Sequence, residues 1–253
     1  MRILVLLLSL SMPLVAWFSQ NGTFGADNGT MSDRYPTLLV AAGYAFAIWG
    51  LIFVFDVIYG VWQATGTRRE DETLTRIAPA AAGGFALTAA WMPLFSMGLF
   101  WLCLIVIFGA LACLVYCAQV LSRDNIPQKG QWLWAWTPLS LHAGWLSVAA
   151  FLNLAQAIVA YKLLPTDNML PWSLALFAIA AVLLLVLNGR MRGNVDYAGA
   201  AVWGLVGVYF AQAHSTLAGA GTASWVALAI AVLLVVQTLW LRLRNEPSLL
   251  PTS

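Results

Sequence analysis

Charged residues are scarce in this chain. Only 9% of its 253 residues are Asp, Glu, Lys or Arg, against about 25% in a typical soluble domain. Hydrophobic residues make up 62% and the mean hydropathy is +0.83. These values exclude a water-soluble globular domain and predict an integral membrane protein. The net charge of +2, with its basic residues spread over short loops, also excludes a nucleic-acid-binding patch.

Cysteine and histidine are also scarce. The three cysteines, Cys103, Cys113 and Cys117, fall in one apolar run, where a disulfide framework has no loops to join. We interpret them as small apolar side chains. The two histidines lie in different apolar runs, and the chain has no metal-binding spacing, phosphate loop or Ser-His-Asp set. The sequence therefore predicts no metal site, no required cofactor and no enzyme.

Long apolar runs are what the chain has instead. They cover residues 3–18, 42–64, 77–121, 132–161, 171–189, 197–216 and 223–241. As one helix, the third run would be about 67 Å long, roughly twice the hydrocarbon thickness of a bilayer. We therefore expect it to turn back at Ser96 to Gly98. The prediction is an all-α, polytopic membrane protein with eight transmembrane helices.

The positions of the basic residues give an independent indication of topology, because Lys and Arg favour cytoplasmic loops. With the N-terminus inside, only Arg34 and Lys162 of the twelve basic residues fall outside. This predicts that both termini are cytoplasmic, in what we expect to be a bacterial inner membrane. The first run is followed by no small-x-small cleavage site, so we interpret it as an uncleaved helix.

Three of the thirteen tryptophans lie deep in apolar runs, whereas nine lie near helix ends, where membrane proteins usually place them. Trp49, Trp91 and Trp145 all lie about 20 to 22 Å from the cytoplasmic ends of their helices. Lipid cannot accept the indole N–H hydrogen bond, so these rings should face the bundle or a cavity. The alternative, that they only fill gaps between helices, stays open at this point.

The residues around these tryptophans resemble those of a known protein family. The stretches "GYAFAIWGLIF" at 43–53, "ALTAAWMPLFSMG" at 86–98 and "GWLSVAAFLN" at 144–153 resemble the TspO/MBR family of tryptophan-rich sensory or translocator proteins. The resemblance covers the family's five-helix bundle at residues 1–163. It leaves residues 164–253 as three additional transmembrane helices and a short cytoplasmic tail.

The resemblance implies a membrane-embedded binding or sensory protein for a flat hydrophobic ligand, such as a porphyrin or a sterol-like molecule. The loop after the first helix would cover a hollow that takes this planar ligand. The family's helix 3 asparagine is here Thr88 and a helix 2 tryptophan is Tyr44, so ligand identity stays open. The implied pocket residues are Trp49, Phe53, Trp91, Pro93, Phe95, Trp145, Ala149 and Asn153.

Other functions stay open on the sequence alone. The three extra helices are compatible with a small transporter or permease, or with a scaffold for a partner protein. By resemblance, porphyrin breakdown is a further alternative. The expected partners are the bilayer and a hydrophobic small molecule. Small residues that permit close helix contacts are too common to predict a dimer, so a homo-oligomer stays open.

Two ionisable residues lie inside apolar runs. Asp56 and His142 differ in depth by only about 3 Å, so they can form a pair. Intramembrane ionisable residues usually have a function, and the pair would then tune ligand binding. The alternative is a neutral hydrogen bond that fixes two helices.

Overall fold

The computed structural model describes residues 1–244, and the predicted cytoplasmic tail at 245–253 lies outside them. The described part is helical and contains no strand, because lipid offers no hydrogen-bond partners and each spanning backbone must satisfy itself. Its helices are α1 (Arg2–Gln20), α2 (Asn28–Asp33), α3 (Ile48–Gln63), α4 (Glu72–Ser96), α5 (Phe100–Leu121), α6 (Thr137–Ala160), α7 (Leu170–Arg190), α8 (Val195–Ala213) and α9 (Ala220–Arg244). A 3-10 turn, Gly43–Ala47, leads into α3, and a π-helical turn, Trp132–Trp136, leads into α6.

The all-α membrane architecture is confirmed, and so is the turn inside the longest apolar run. That run divides where α4 ends at Ser96 and α5 begins at Phe100, with Gly98 between them at φ 72°. Within the described residues, seven helices are long and apolar enough to cross a membrane: α1, α3 with its leading turn, α4, α5, α6, α7 and α9. The eighth predicted span is α8, which is long enough but is made less apolar by residues such as Asp196 and Gln212.

Helix α6 lies at the centre of the bundle, and nearly all of its residues are buried. It packs mainly against α5 and α8 and makes smaller contacts with α3 and α7, while α9 packs against α8 and α7. The contact with α8 is close because Gly144 has no side chain: a Cβ there would overlap the carbonyl of Tyr197. Small residues of this kind let membrane helices approach at backbone distance.

The segment between α1 and α3, residues 21–47, forms a cover over one end of α3, α4 and α6. Its first half contains α2, which the sequence did not predict and which is capped by Asp27, whose side chain accepts from the Thr30 N–H at 3.0 Å. Ser96 donates to the Asn28 side chain at 3.1 Å, and Gln156 donates to the Ser32 hydroxyl at 2.7 Å. The first half of the cover is therefore attached to α4 and α6.

The second half of the cover is attached to α8. The Ala42 N–H donates to the Gly207 carbonyl at 2.9 Å, and the Trp203 indole donates to the Ala45 carbonyl at 2.8 Å. The Gln212 amide donates to the carbonyls of Thr37 and Val40, each at 3.1 Å. One of the three additional helices thus holds the cover in place.

Candidate aromatic ligand site

Indoles from three helices converge beneath the cover. The rings of Trp49 on α3 and Trp91 on α4 are stacked, with centroids 6.0 Å apart and planes 23° apart. Trp145 on α6 meets Trp49 edge to face, at 6.0 Å and 83°. Trp145 and Trp91 are buried and Trp49 is half-buried. The prediction that these tryptophans lie in one layer and face the bundle is confirmed.

Two phenylalanines extend the stacked pair into an aromatic row, Phe53–Trp49–Trp91–Phe95. Adjacent centroids are 5.3, 6.0 and 5.0 Å apart, and adjacent planes differ by 26°, 23° and 25°. Each phenylalanine lies one helical turn from its tryptophan, which places both rings on the same helix face. The row is a ready stacking surface for a flat molecule, since offset-stacked rings attract one another.

A small cavity lies beside the row. Its lining combines aromatic rings with uncharged hydrogen-bonding side chains: Asn28, Ser32, Phe46, Trp49, Trp91, Phe95, Trp145, Ala149, Leu152, Asn153 and Gln156. Six of the eight residues implied by the resemblance are among them. Asn28, Ser32 and Phe46 come from the cover, so the cover forms part of the wall rather than only closing it.

Phe53 and Pro93 are not among the lining residues. Phe53 stacks on the far side of Trp49 and so supports the wall from behind. Pro93 is two residues from Trp91, which on an α-helix is a rotation of about 200° and directs it away from the cavity. Neither residue lines the cavity in this conformation, and their contact with a ligand stays a prediction.

The cavity is much smaller than a planar ligand. The space open to the centre of a water molecule is about 20 Å³, enough for roughly one water. The aromatic row is closed by its own ring contacts, so the hollow expected for a porphyrin is not open in this conformation. A large ligand can enter only if rings of the row separate or the cover moves.

Two indole N–H groups of the site differ in their hydrogen bonding. Trp91 donates to the Asn153 side-chain oxygen at 2.8 Å, while the Asn153 amide donates to the Ala149 carbonyl at 3.0 Å. The buried Trp145 N–H has no hydrogen-bond partner among the described residues. The opposite edge of its ring faces Gly204 on α8, so this N–H points away from α8. It is a buried donor without an acceptor in this conformation of residues 1–244.

Asp56 and His142 form the predicted pair directly beside the aromatic row. His142 Nδ1 lies 2.7 Å from Asp56 Oδ2, and both side chains are fully buried. The other ring nitrogen, Nε2, lies 3.3 Å from the Thr88 hydroxyl. The imidazole meets the Trp49 ring edge to face at 5.7 Å and stacks on Phe85 at 6.2 Å.

These features together define a polytopic helical membrane protein with an aromatic cavity closed by the cover at residues 21–47. The model of the TSPO-like protein family matches residues 2–240, and the chain belongs to that family. The match extends beyond the five-helix stretch at 1–163 and includes the helices α7, α8 and α9. No curated protein and no solved structure matches this chain.

Proposed function

We propose that this TSPO-like membrane protein is a binding or sensory protein for a flat hydrophobic ligand, such as a porphyrin or a sterol-like molecule. The observation that carries the proposal is the convergence of Trp49, Trp91 and Trp145, from three helices, around one cavity. Aromatic walls with a few polar groups are typical of small-molecule sites. Stacking and apolar burial supply the affinity, and the Trp145 N–H and the Asn153 and Gln156 amides orient the ligand.

Ligand entry opens the site. Because the closed cavity holds roughly one water, a porphyrin binds when Trp49 and Trp91 separate and the cover withdraws from the wall. The closed form is then the resting state, and ligand binding shifts the population toward the open form. This dependence on opening suits a sensor, since occupancy changes the position of the cover.

We further propose that the chain crosses a bacterial inner membrane eight times, with α8 as the eighth span and both termini in the cytoplasm. Helix α8 has 19 residues, about 28 Å, which matches the hydrocarbon core. Cysteine substitutions at the exposed residues Arg192 and Thr216, on either side of α8, should label with a membrane-impermeant maleimide from opposite sides of the membrane. Labelling of both from the same side would refute this topology.

A porphyrin titration followed by tryptophan quenching tests the ligand. The wild type and the Trp225→Phe control, which changes an exposed indole on α9, should show the same saturable quenching. Trp145→Phe and Trp49→Phe should bind about 2- to 13-fold more weakly, because phenylalanine lacks the indole N–H and part of the stacking area, a loss of about 0.5–1.5 kcal/mol. Absence of saturable quenching in the wild type would refute the function, and equal affinity in all four proteins would refute the site.

A further inference from the structure

We propose that the Asp56–His142 pair is a proton-binding site, which takes up a proton when an anionic ligand occupies the cavity and exchanges it past Tyr59 and Gln63. The inference rests on the proposed function, because it requires a ligand in the aromatic site. It adds a second binding partner, the proton, and a coupling between the two sites.

The pair has a free position for a proton. Asp56 Oδ2 is engaged by His142, whereas Asp56 Oδ1 is buried and has no hydrogen-bond partner among the described residues. In a hydrocarbon surrounding the resting form of the pair is net-neutral, with one proton held between the carboxyl group and the imidazole. One proton added at Oδ1 gives a carboxylic acid beside the imidazolium, with a net charge of +1 and no heavy-atom bond changed.

The cavity itself supplies no countercharge for an anion. None of its eleven lining residues is charged, so a carboxylate-bearing ligand enters a neutral, largely apolar site. The Asp56–His142 pair lies next to this site through the contact between His142 and Trp49. A ligand that displaces Trp49 therefore changes the surroundings of the imidazole, and an anionic ligand favours the protonated pair. By linkage, protonation favours the anionic ligand equally.

A line of polar side chains leads from the pair to the end of the bundle. Asp56, Tyr59 and Gln63 follow one another on one face of α3, and all three are fully buried. The Tyr59 hydroxyl has no hydrogen-bond partner among the described residues. Gln63 donates to the Arg2 carbonyl at 2.8 Å and accepts from the Arg2 side chain at 3.4 Å, at the membrane end where Arg2 lies.

The groups around the pair are few. Tyr59 interacts electrostatically with Arg2 on α1, Cys117 on α5 and Asp56 itself. Helix α4 contributes the uncharged Thr88 and Phe85, and α6 contributes His142. Two oxygens of this network, Asp56 Oδ1 and the Tyr59 hydroxyl, have no partner among the described residues and lie on the same helix face. Proton exchange along this face requires a hydrogen bond between them, directly or through a water molecule.

Calorimetric titration in buffers of different ionisation enthalpy measures the protons taken up on binding. The probes are protoporphyrin IX, which carries two carboxylates, and its neutral dimethyl ester. We expect the wild type to take up about one proton more than Asp56→Asn with the diacid, and the two proteins to behave alike with the ester. The control is Tyr197→Phe, which changes a buried tyrosine of α8 and should keep the wild-type proton number.

Equal proton numbers for the wild type and Asp56→Asn with the diacid would overturn the proposal. Saturable quenching together with equal proton numbers would refute this inference and leave the proposed function standing. Absence of binding of either probe would refute both the proposed function and this inference. Should Asp56→Asn not fold, Tyr59→Phe provides the second test. Stopped flow with a pH indicator should show slower proton uptake by Tyr59→Phe than by the wild type. An unchanged rate would exclude proton exchange past Tyr59 and Gln63.

Discussion

Replacing Gln212 by leucine should loosen the attachment of the cover to α8. The Gln212 amide donates two of the four hydrogen bonds that join the cover to α8 in the described residues, to the carbonyls of Thr37 and Val40. The other two, from the Ala42 N–H and the Trp203 indole, remain. Leucine has a similar volume but no donor. The substitution therefore leaves both carbonyls without their partner while α8 keeps its packing against α6.

The size of the effect follows from the two lost bonds. A neutral hydrogen bond contributes about 0.5–1.5 kcal/mol net, so opening of the cover becomes easier by about 1–3 kcal/mol. Because 1.4 kcal/mol is a factor of ten, the open population rises about 5- to 140-fold. If the ligand enters through the open form, its association rate should rise by a similar factor.

Hydrogen exchange measures this opening without any ligand. The Ala42 N–H donates to the Gly207 carbonyl, so it exchanges only when the cover leaves α8. Exchange of the Ala42 N–H in Gln212→Leu should accelerate about 5- to 140-fold, while amides inside α8 stay protected. The matched control is Gln237→Leu, which removes a glutamine that bridges α9 to the Leu185 carbonyl on α7, away from the cover. Unchanged Ala42 exchange in Gln212→Leu would show that the two Gln212 hydrogen bonds do not limit opening of the cover.

Three further predictions concern packing, hydrogen bonding and pH. Gly144→Val should lower the unfolding temperature sharply because the backbone of α8 leaves no room for a side chain, whereas Gly199→Val, which meets open space, should behave as wild type. Asn153→Leu should destabilise the protein by about 1–3 kcal/mol in detergent unfolding, because it leaves a buried indole N–H without its acceptor. Hydrogen bonds from Thr30 lower the pKa of Asp27, so its stabilisation of the cover is present above the ordinary aspartate pKa and is lost as pH falls through the lowered one. Protease cleavage of the cover should therefore accelerate at acidic pH in the wild type and lose this dependence in the Asp27→Asn variant, whose amide still caps.

The spans and the aromatic layer could be predicted from the sequence because both follow from values read along the chain. These values are the hydropathy of each run and the number of residues between each tryptophan and the end of its helix. Hydropathy and bilayer thickness require the longest apolar run to turn, and the turn occurs at Gly98. Equal depth along three helices brings Trp49, Trp91 and Trp145 together. Helical periodicity could also have found Gln156, three residues beyond Asn153, and could have excluded Pro93.

The cover and the size of the cavity could not be predicted in the same way. The attachment of the cover joins residues such as Ala42 and Gly207 through backbone hydrogen bonds, which leave no periodic pattern in the sequence. Trp203 on α8 belongs to neither the deep tryptophans nor those near helix ends, and only its hydrogen bond to the Ala45 carbonyl shows its role. The cavity volume depends on how the rings of the aromatic row pack, and a list of lining residues does not determine that packing.

The hydrogen bond of Ser147 has a consequence for biosynthesis. Its hydroxyl accepts from Tyr197 at 2.9 Å, yet that tyrosine leaves the ribosome 50 residues later. In the meantime the same hydroxyl donates to the Ala143 carbonyl within its own helix, so its proton already has an acceptor when α6 first meets lipid. Insertion of α6 therefore need not wait for α8, which arrives afterwards and donates to an oxygen already held in position.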